Sequence, residues 1–138
     1  MAQAGDALEI TIRSYEEKDL EHIQRLNQQQ GWTGLVEKNI QTKEAWKNSN
    51  IAYVAESQDQ GLIAYIRGVT DGSVSTYICE LLVAQPFRGC GAGKKLLDFV
   101  HALHPDTRID LLASSSSSSF YEGNGFRPFY GFRKSLRK

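Results

Sequence analysis

The segment Arg88–Gly93, with the sequence Arg-Gly-Cys-Gly-Ala-Gly, carries the clearest chemical signal of the chain. The run that precedes it, Tyr77–Val83, is apolar and rich in strand-forming residues, and apolar residues in 96–100 have the spacing of one helical face. The pattern therefore predicts a strand, a glycine-rich turn and the start of a helix. Glycines leave backbone N–H groups uncovered, and a helix N-terminus adds partial positive charge. We expect such a turn to hold a phosphate or pyrophosphate.

Spacing argues against two of the three ligand classes that use such a turn. A mononucleotide P-loop needs Gly-x-x-x-x-Gly-Lys followed by Ser or Thr. Here Lys95 follows Lys94, and Arg88 stands where the first glycine belongs. A dinucleotide fingerprint needs Gly-x-Gly-x-x-Gly in the first βα unit of a parallel sheet. These glycines read Gly-x-Gly-x-Gly, and too little chain follows them for a doubly wound domain.

The third class fits two motifs of this sequence. Arg88–Gly93 resembles the Arg/Gln-x-x-Gly-x-Gly/Ala motif with which the GNAT N-acetyltransferase superfamily binds the pyrophosphate of acetyl-CoA. About thirty residues later, Phe120–Phe126 resembles the second signature of that family, an aromatic-Tyr-x-x-x-Gly-Phe segment. Two motifs in the right order are more specific than either alone. The alternative for the first motif taken alone is a structural loop.

The resemblance implies acetyl-CoA as co-substrate and a set of residues that bind it. That set joins the end of the strand, the glycine turn and the helix start: Leu82, Val83, Arg88, Gly89, Cys90, Gly91, Ala92, Gly93 and Lys94. Ser114 matches a position where many relatives place an asparagine that bonds the cofactor. By composition alone, the six serines at 114–119 are typical of a flexible linker, whereas the resemblance implies helix there.

The activity that the resemblance implies is direct transfer of an acetyl group to an amine. It places the hydroxyl of Tyr121 at the sulfur of CoA, where a phenol can protonate the leaving thiolate. The developing oxyanion needs a donor, and the family frees a backbone N–H in the region of Leu81 or Leu82. Glu80 is the candidate base, although strand alternation would aim it away from the face of Tyr77 unless a bulge re-aims it. The alternative base is a water chain near Tyr77 or Cys79.

The resemblance covers the full length and implies one α+β domain, residues 1–138. We expect a mixed, mostly antiparallel sheet of about seven strands flanked by about four helices. Predicted helices run from Ser14, as N-cap, to Asn27, over Val36–Lys47, from the glycine turn to His104, and from the serine run to about Asn124. Predicted strands are Leu8–Arg13, Ile51–Glu56, Leu62–Thr70, Val74–Val83, Thr107–Ala113, Phe126–Tyr130 and Phe132–Arg137.

Composition sets limits on partners and location. Sixteen basic residues balance sixteen acidic ones, so no global field favours nucleic acid or an anionic membrane. No apolar run is long enough to span a bilayer, no signal peptide is evident, and the two cysteines have no metal-site spacing. We therefore expect a cytoplasmic protein with no metal, no nucleic-acid partner and no membrane partner. Dimers are frequent in the family, so a homodimer is compatible with the resemblance.

The acceptor is a small-molecule or peptide amine of unidentified structure. The resemblance implies that specificity lies mostly in the first two helices and their connecting loop, plus the last strand pair. Here the loop is Gln30–Glu37, where Trp32 can line a pocket and Glu37 can attract a cationic amine. The rival to an N-acetyltransferase is a non-catalytic CoA-binding or protein-interaction module that keeps the fold without the chemistry.

Overall fold

The computed structural model describes residues 9–136, which form a five-stranded sheet and five α-helices. The strands are β1 (Ile10–Ser14), β2 (Ile51–Ser57), β3 (Gly61–Thr70), β4 (Ser75–Val83) and β5 (Arg108–Leu111). The helices are α1 (Leu20–Gln30), α2 (Thr33–Glu37), α3 (Asn39–Asn48), α4 (Ala92–Leu103) and α5 (Ser118–Gly123). The predicted α+β class with a mixed sheet is therefore confirmed.

The sheet follows chain order, β1-β2-β3-β4-β5. The first four strands are antiparallel neighbours, and short turns connect β2 to β3 and β3 to β4. Strand β5 is parallel to β4, since α4 provides the crossover between them. The end of β4 and the start of α4 therefore lie at one edge of the sheet, next to the end of β5.

Two apolar clusters cover opposite faces of the sheet. On one face, Tyr65 and Leu82 are cross-strand partners that pack with α1 and α3, including the fully buried Trp46. On the other face, Ile66 and its neighbours pack against α4, whose buried side chains include Leu96 and Val100. Each such side chain contributes roughly 1.5–3 kcal/mol when it is fully buried. These clusters fix the position of α1, α3 and α4 around the end of β4.

The first helices differ from the prediction in their boundaries. Helix α1 begins at Leu20, after a 3₁₀ turn over Glu17–Asp19, and not directly after Ser14. Asp19 accepts a hydrogen bond from the backbone N–H of Glu16 at 2.8 Å, so these residues provide the capping contact. The helix expected over Val36–Lys47 is two helices, because the backbone leaves helical geometry at Lys38 (φ −95°, ψ 55°).

The prediction of about seven strands and four helices is wrong at the C-terminal end. Residues 126–136 form no strand, so the predicted strands Phe126–Tyr130 and Phe132–Arg137 are absent from the described part of the chain. Phe129, Tyr130 and Phe132 are 73%, 98% and 96% exposed. A strand needs a partner for its backbone groups, and β5, the nearest edge, has only four residues. Leu8 and Arg137 lie outside the described residues.

The serine run is helical only at its end. Ser114–Ser117 forms a turn, in which the N–H of Ser117 donates to the carbonyl oxygen of Ser114 at 3.1 Å. Helix α5 begins at Ser118, so the helix expected over the whole run is shorter than predicted. The strand predicted over Thr107–Ala113 is likewise shorter, at Arg108–Leu111.

Candidate functional site

A cleft of about 1560 Å³ opens between the first three helices and the end of β4. One wall comes from α2 and α3, and the floor comes from residues 78–83 of β4. The glycine turn and the start of α4 also line the cleft, as do α5 and the chain after it. The cleft therefore brings together both sequence motifs, which are far apart along the chain.

The glycine turn has the backbone geometry that its sequence predicts. Gly89 and Gly91 have φ values of +83° and +93°, in the left-handed region where a Cβ causes strain. Gly91 is the N-cap of α4 and provides no side-chain cap. Five N–H groups of the turn and the first turn of α4 have no acceptor within residues 9–136, namely those of Gly89, Gly91, Ala92, Gly93 and Lys94. An unfilled helix N-terminus of this kind is suited to an anion.

The gap between β4 and β5 continues this donor surface along the floor. The parallel pairing ends at Ile78 and Leu111, although β4 runs on to Val83. The N–H of Ala84 donates to the carbonyl oxygen of Ile63 at 2.8 Å, toward β3. Because backbone N–H groups alternate in direction along a strand, those of Val83 and Leu81 point into the gap and that of Leu82 points toward β3. The side chain of Leu82 is buried.

A β-bulge at Cys79 sets which residues of β4 face the cleft. Arg67 pairs with Glu80, whereas the next residue of β3, Gly68, pairs with Ile78, so Cys79 is the extra residue. The strands are so close there that a Cβ on Gly68 would clash with the carbonyl oxygen of Tyr77. Burial raises the pKa of the Cys79 thiol above its ordinary value. The bulge turns Glu80 to the face of Tyr65 and the first helices.

Glu80 forms a largely buried ion pair with Arg67. Its two carboxylate oxygens accept hydrogen bonds from Nε and Nη2 of Arg67, each at 2.6 Å. The side chains of Arg67 and Glu80 are only 14% and 15% exposed. Arg67 also donates from Nη1 to Oγ of Ser49, near the end of α3, at 3.1 Å. The carboxylate that the sequence offers as a base is therefore engaged on both oxygens.

Tyr121 lines the cleft from α5 and is held by aromatic neighbours. Its ring makes edge contacts with Phe120 and Phe126, at centroid distances of 5.1 and 5.5 Å. Its hydroxyl has no hydrogen-bond partner among residues 9–136, and the side chain lines the open cleft. Burial raises the pKa of Tyr121 above the ordinary value of a phenol. The hydroxyl therefore stays protonated at neutral pH and is available to a ligand.

The other residues predicted to bind the cofactor lie around the same end of the cleft. Arg88 contacts Oε1 of Gln30 through Nη2 and donates from Nε to the carbonyl oxygen of Val83 at 3.3 Å. The N–H of Cys90 donates to Phe87 at 3.3 Å, and Cys90 packs against the core. The ammonium group of Lys94 pairs with Asp98 at 2.6 Å.

Two contacts outside the turn shape this end of the cleft. A Cβ on Gly93 would lie 3.0 Å from the Phe120 ring, so the glycine lets α5 approach α4. Ser114 also lines the cleft, where its hydroxyl bonds those of Ser116 and Ser117 at 2.9 and 3.2 Å.

Sequence reasoning missed several residues of the cleft. Trp32 lines it as expected, but Glu37 does not, and Lys38 and Gln41 take part in the same wall. Arg67 was not singled out, because its pairing with Glu80 depends on strand register. The usable signal was Gly68, since a glycine inside a strand indicates a bulge or a close backbone approach.

Comparison with known proteins agrees with this geometry. A family model that describes an acetyltransferase (GNAT) domain matches residues 48–128. That range contains the bulge, the glycine turn and Tyr121. A search of curated proteins found no match.

Solved structures share the fold over almost the whole chain. A GNAT-family acetyltransferase of Streptococcus pneumoniae is 25% identical, with a TM-score of 0.77 over 94% of this chain and 100% of its own. Glucosamine-6-phosphate N-acetyltransferase of Arabidopsis thaliana is 19% identical, with a TM-score of 0.72 over 94% and 99%. An aminoglycoside N-acetyltransferase in complex with CoA is 16% identical, with a TM-score of 0.73 over 97% and 98%.

The fold and the cleft thus define an acetyltransferase of the GNAT type, a class that uses acetyl-CoA. Because the family model covers more than half of its length, the chain belongs to the GNAT acetyltransferase family. The likenesses below 25% identity establish the fold alone. Among residues 9–136, no group of three or more His, Cys, Asp or Glu side chains is placed to hold a metal ion, and no helix is long and apolar enough to cross a membrane.

Proposed function

We propose that the protein is a single-domain N-acetyltransferase that moves an acetyl group from acetyl-CoA to a primary amine by direct attack. The observation that carries the proposal is the row of free N–H groups at Gly89 and at residues 91–94, which continues into the gap between β4 and β5. The turn offers donors for a pyrophosphate, and the gap offers edge positions for the amide groups of pantetheine. Acetyl-CoA carries both groups in this order.

The residues of the gap would act on the thioester as follows. The N–H of Leu81 points into the gap next to the bulge and would donate to the carbonyl oxygen as negative charge develops there. We assign this role to Leu81 and not to Leu82, whose N–H points toward β3. Val83 would bond the pantetheine arm through its N–H. Removal of one such donor from an oxyanion site typically costs about 10²–10³ in turnover.

Tyr121 would act as the general acid. The amine nitrogen forms a bond to the carbonyl carbon, the carbon–sulfur bond breaks, and the hydroxyl of Tyr121 gives its proton to the departing sulfur. The raised pKa of Tyr121 favours this role, because the group carries its proton at neutral pH. Solvent then returns a proton to the phenolate, and the products are the acetamide and CoA.

The amine must lose a proton as it attacks. An alkylammonium group has a pKa near 10.4, so deprotonation at pH 7 costs about 4.6 kcal/mol. Glu80 is unsuited to accept this proton, since Arg67 occupies both of its oxygens with hydrogen bonds. We propose that water in the cleft, near Cys79 and Tyr77, takes the proton, and that Glu80 positions the bulge.

Two measurements test the proposal. CoA and acetyl-CoA should each raise the melting temperature. At a ligand concentration of a hundred times the dissociation constant, binding adds about 2.7 kcal/mol to the free energy of unfolding. A CoA-release assay over chemically diverse amines should then identify at least one acceptor, with the acetylated product confirmed by mass spectrometry. If CoA binds and no amine is acetylated, the protein is a CoA-binding or interaction module. If neither ligand shifts the melting temperature, both interpretations fail.

A further inference from the structure

Some of the charged residues that line the cleft already have a partner within the protein, and others do not. They are Lys38, Glu80, Arg88, Lys94 and Arg133. Glu80, the one carboxylate in this set, is neutralised by Arg67 through two hydrogen bonds. The side chains of the two cations beside the glycine turn also have partners. Arg88 contacts the neutral amide of Gln30, and Lys94 pairs with Asp98.

The remaining two charges, Lys38 and Arg133, are cationic. Neither has a carboxylate within 4.0 Å in the described part of the chain. Lys38 stands at the break between α2 and α3 and lines the cleft. Arg133 lies in the segment after α5, two residues beyond Gly131, which packs on Leu112 just past the end of β5. The two cations therefore come from different elements of the fold, and neither belongs to the glycine turn.

A site with this charge pattern discriminates between amines. A second cationic group on the acceptor would meet the charges of Lys38 and Arg133, which are both exposed, and no free carboxylate, and like charges side by side are unfavourable. An anionic oxygen group on the acceptor would gain charge-assisted hydrogen bonds from the same side chains. The attacking nitrogen reacts as the neutral amine once water in the cleft has taken its proton, and nearby cations favour that neutral form.

We propose that the acceptor is a primary amine that also carries an anionic oxygen group, a carboxylate or a phosphate, held by Lys38 and Arg133. This substrate class rests on the proposed N-acetyltransferase function. Trp32 and Leu35 line the same wall as Lys38 and supply apolar contact for the part of the substrate between its two polar ends.

Matched amines provide the direct test. The carboxylate arm compares phenylalanine with phenylalaninamide and phenethylamine, and the phosphate arm compares O-phosphoethanolamine with ethanolamine. Spermidine serves as the polycation. We expect kcat/KM for an anionic member to exceed that of its uncharged analogue by about 10-fold or more, as charge-assisted bonds imply. The arm with the larger ratio identifies the anion. Equal or better turnover of the uncharged analogues or of spermidine overturns the proposal.

Variants locate the anion site. Lys38→Gln and Arg133→Gln should each raise KM for the anionic acceptor by about 10-fold and leave KM for acetyl-CoA unchanged. Lys38→Glu should reverse the preference toward spermidine. Lys47→Gln and Lys134→Gln are the matched controls, since both side chains lie outside the cleft and should leave KM unchanged. An effect of the controls equal to that of the cleft variants contradicts the assignment.

Failure of this proposal is distinguishable from failure of the function. If CoA raises the melting temperature and neutral amines are acetylated best, the function stands and the substrate class falls. If CoA binds and no panel member is acetylated, titration calorimetry of the CoA-bound protein with the anionic amines tests the anion site directly. Saturable binding of phenylalanine or O-phosphoethanolamine that Lys38→Gln weakens supports the anion site, and its absence overturns it.

Discussion

Replacement of Glu80 by Gln separates a catalytic base from a group that positions the bulge. The ion pair with Arg67 is 14–15% exposed and has two 2.6 Å contacts. Removal of one partner from a buried pair costs about 3–5 kcal/mol. Because Gln keeps one acceptor oxygen for Arg67, we expect a smaller loss of stability, about 2–3 kcal/mol. For a chain of this length, that lowers the melting temperature by about 6–12 °C.

The assay pairs thermal unfolding with steady-state kinetics over a range of pH. If Glu80 only positions the bulge, kcat falls by less than about tenfold, and the acidic limb of the pH profile keeps its position, since the amine sets it. A general base would contribute about 10²–10⁴ in rate. The double variant R67Q/E80Q tests the pair, because two amides can bond each other and should recover part of the lost stability. A loss of kcat above about 10² with unchanged stability would falsify our reasoning and make Glu80 the base.

Three further variants and one measurement of association test other parts of the cleft. Tyr121→Phe should lower kcat by about 10²-fold or more with unchanged affinity for acetyl-CoA, and an unchanged kcat contradicts its role as acid. Because burial raises the pKa of this hydroxyl, its loss of a proton should affect wild-type turnover only at a pH above the ordinary pKa of a phenol. Gly91→Ala places a side chain at φ +93°, so it should lower the free energy of unfolding by about 1–2 kcal/mol and weaken CoA binding. The control Gly123→Ala lies outside the left-handed region and in open space, so it should leave stability and CoA binding unchanged. Gly68→Ala should lower both melting temperature and kcat, since the new Cβ would strike the carbonyl oxygen of Tyr77 and disturb the bulge; a stable, fully active variant would exclude the bulge from catalysis. Analytical ultracentrifugation should show a homodimer, because β5 has no second strand partner among residues 9–136 and the neighbouring segment exposes Phe129, Tyr130 and Phe132. Truncation after Gly125 should give monomers. A wild-type protein that is monomeric at all concentrations would contradict the prediction.

Local signals in the sequence were sufficient for the glycine turn and the elements around it. The left-handed φ values of Gly89 and Gly91 are conformations that glycine supplies, and the apolar spacing of α4 is visible within one segment. Strands β2, β3 and β4 begin and end within a few residues of the predicted bounds, because their strand-forming residues and the turns between them are also local signals. The sequence motifs also identified Tyr121, which the fold brings to the cleft.

Features that depend on distant residues could not be predicted in this way. The aromatic residues at 126–132 favour strands locally, yet the structure gives them no partner, and Pro128 and Gly131 oppose a regular ladder. The ion pair of Glu80 with Arg67 follows from the register of β3 against β4, which the extra residue Cys79 alters. A one-residue change of register moves every following side chain to the other face, so alternation alone left the direction of Glu80 open.

The bulge thus links the chemistry of the site with its selectivity. By turning Glu80 toward Arg67, it engages the one carboxylate that lines the cleft, and under our proposal Lys38 and Arg133 then set the charge that an acceptor meets. The same bulge lies next to the N–H of Leu81, which would stabilise the oxyanion. A variant that removes the charge of Arg67 would therefore change both substrate preference and rate. The unpaired Glu80 carboxylate would attract cationic amines, and the strand that presents the oxyanion donor would be held less firmly. Selectivity for an anionic acceptor and efficient acetyl transfer thus depend on the same buried pair.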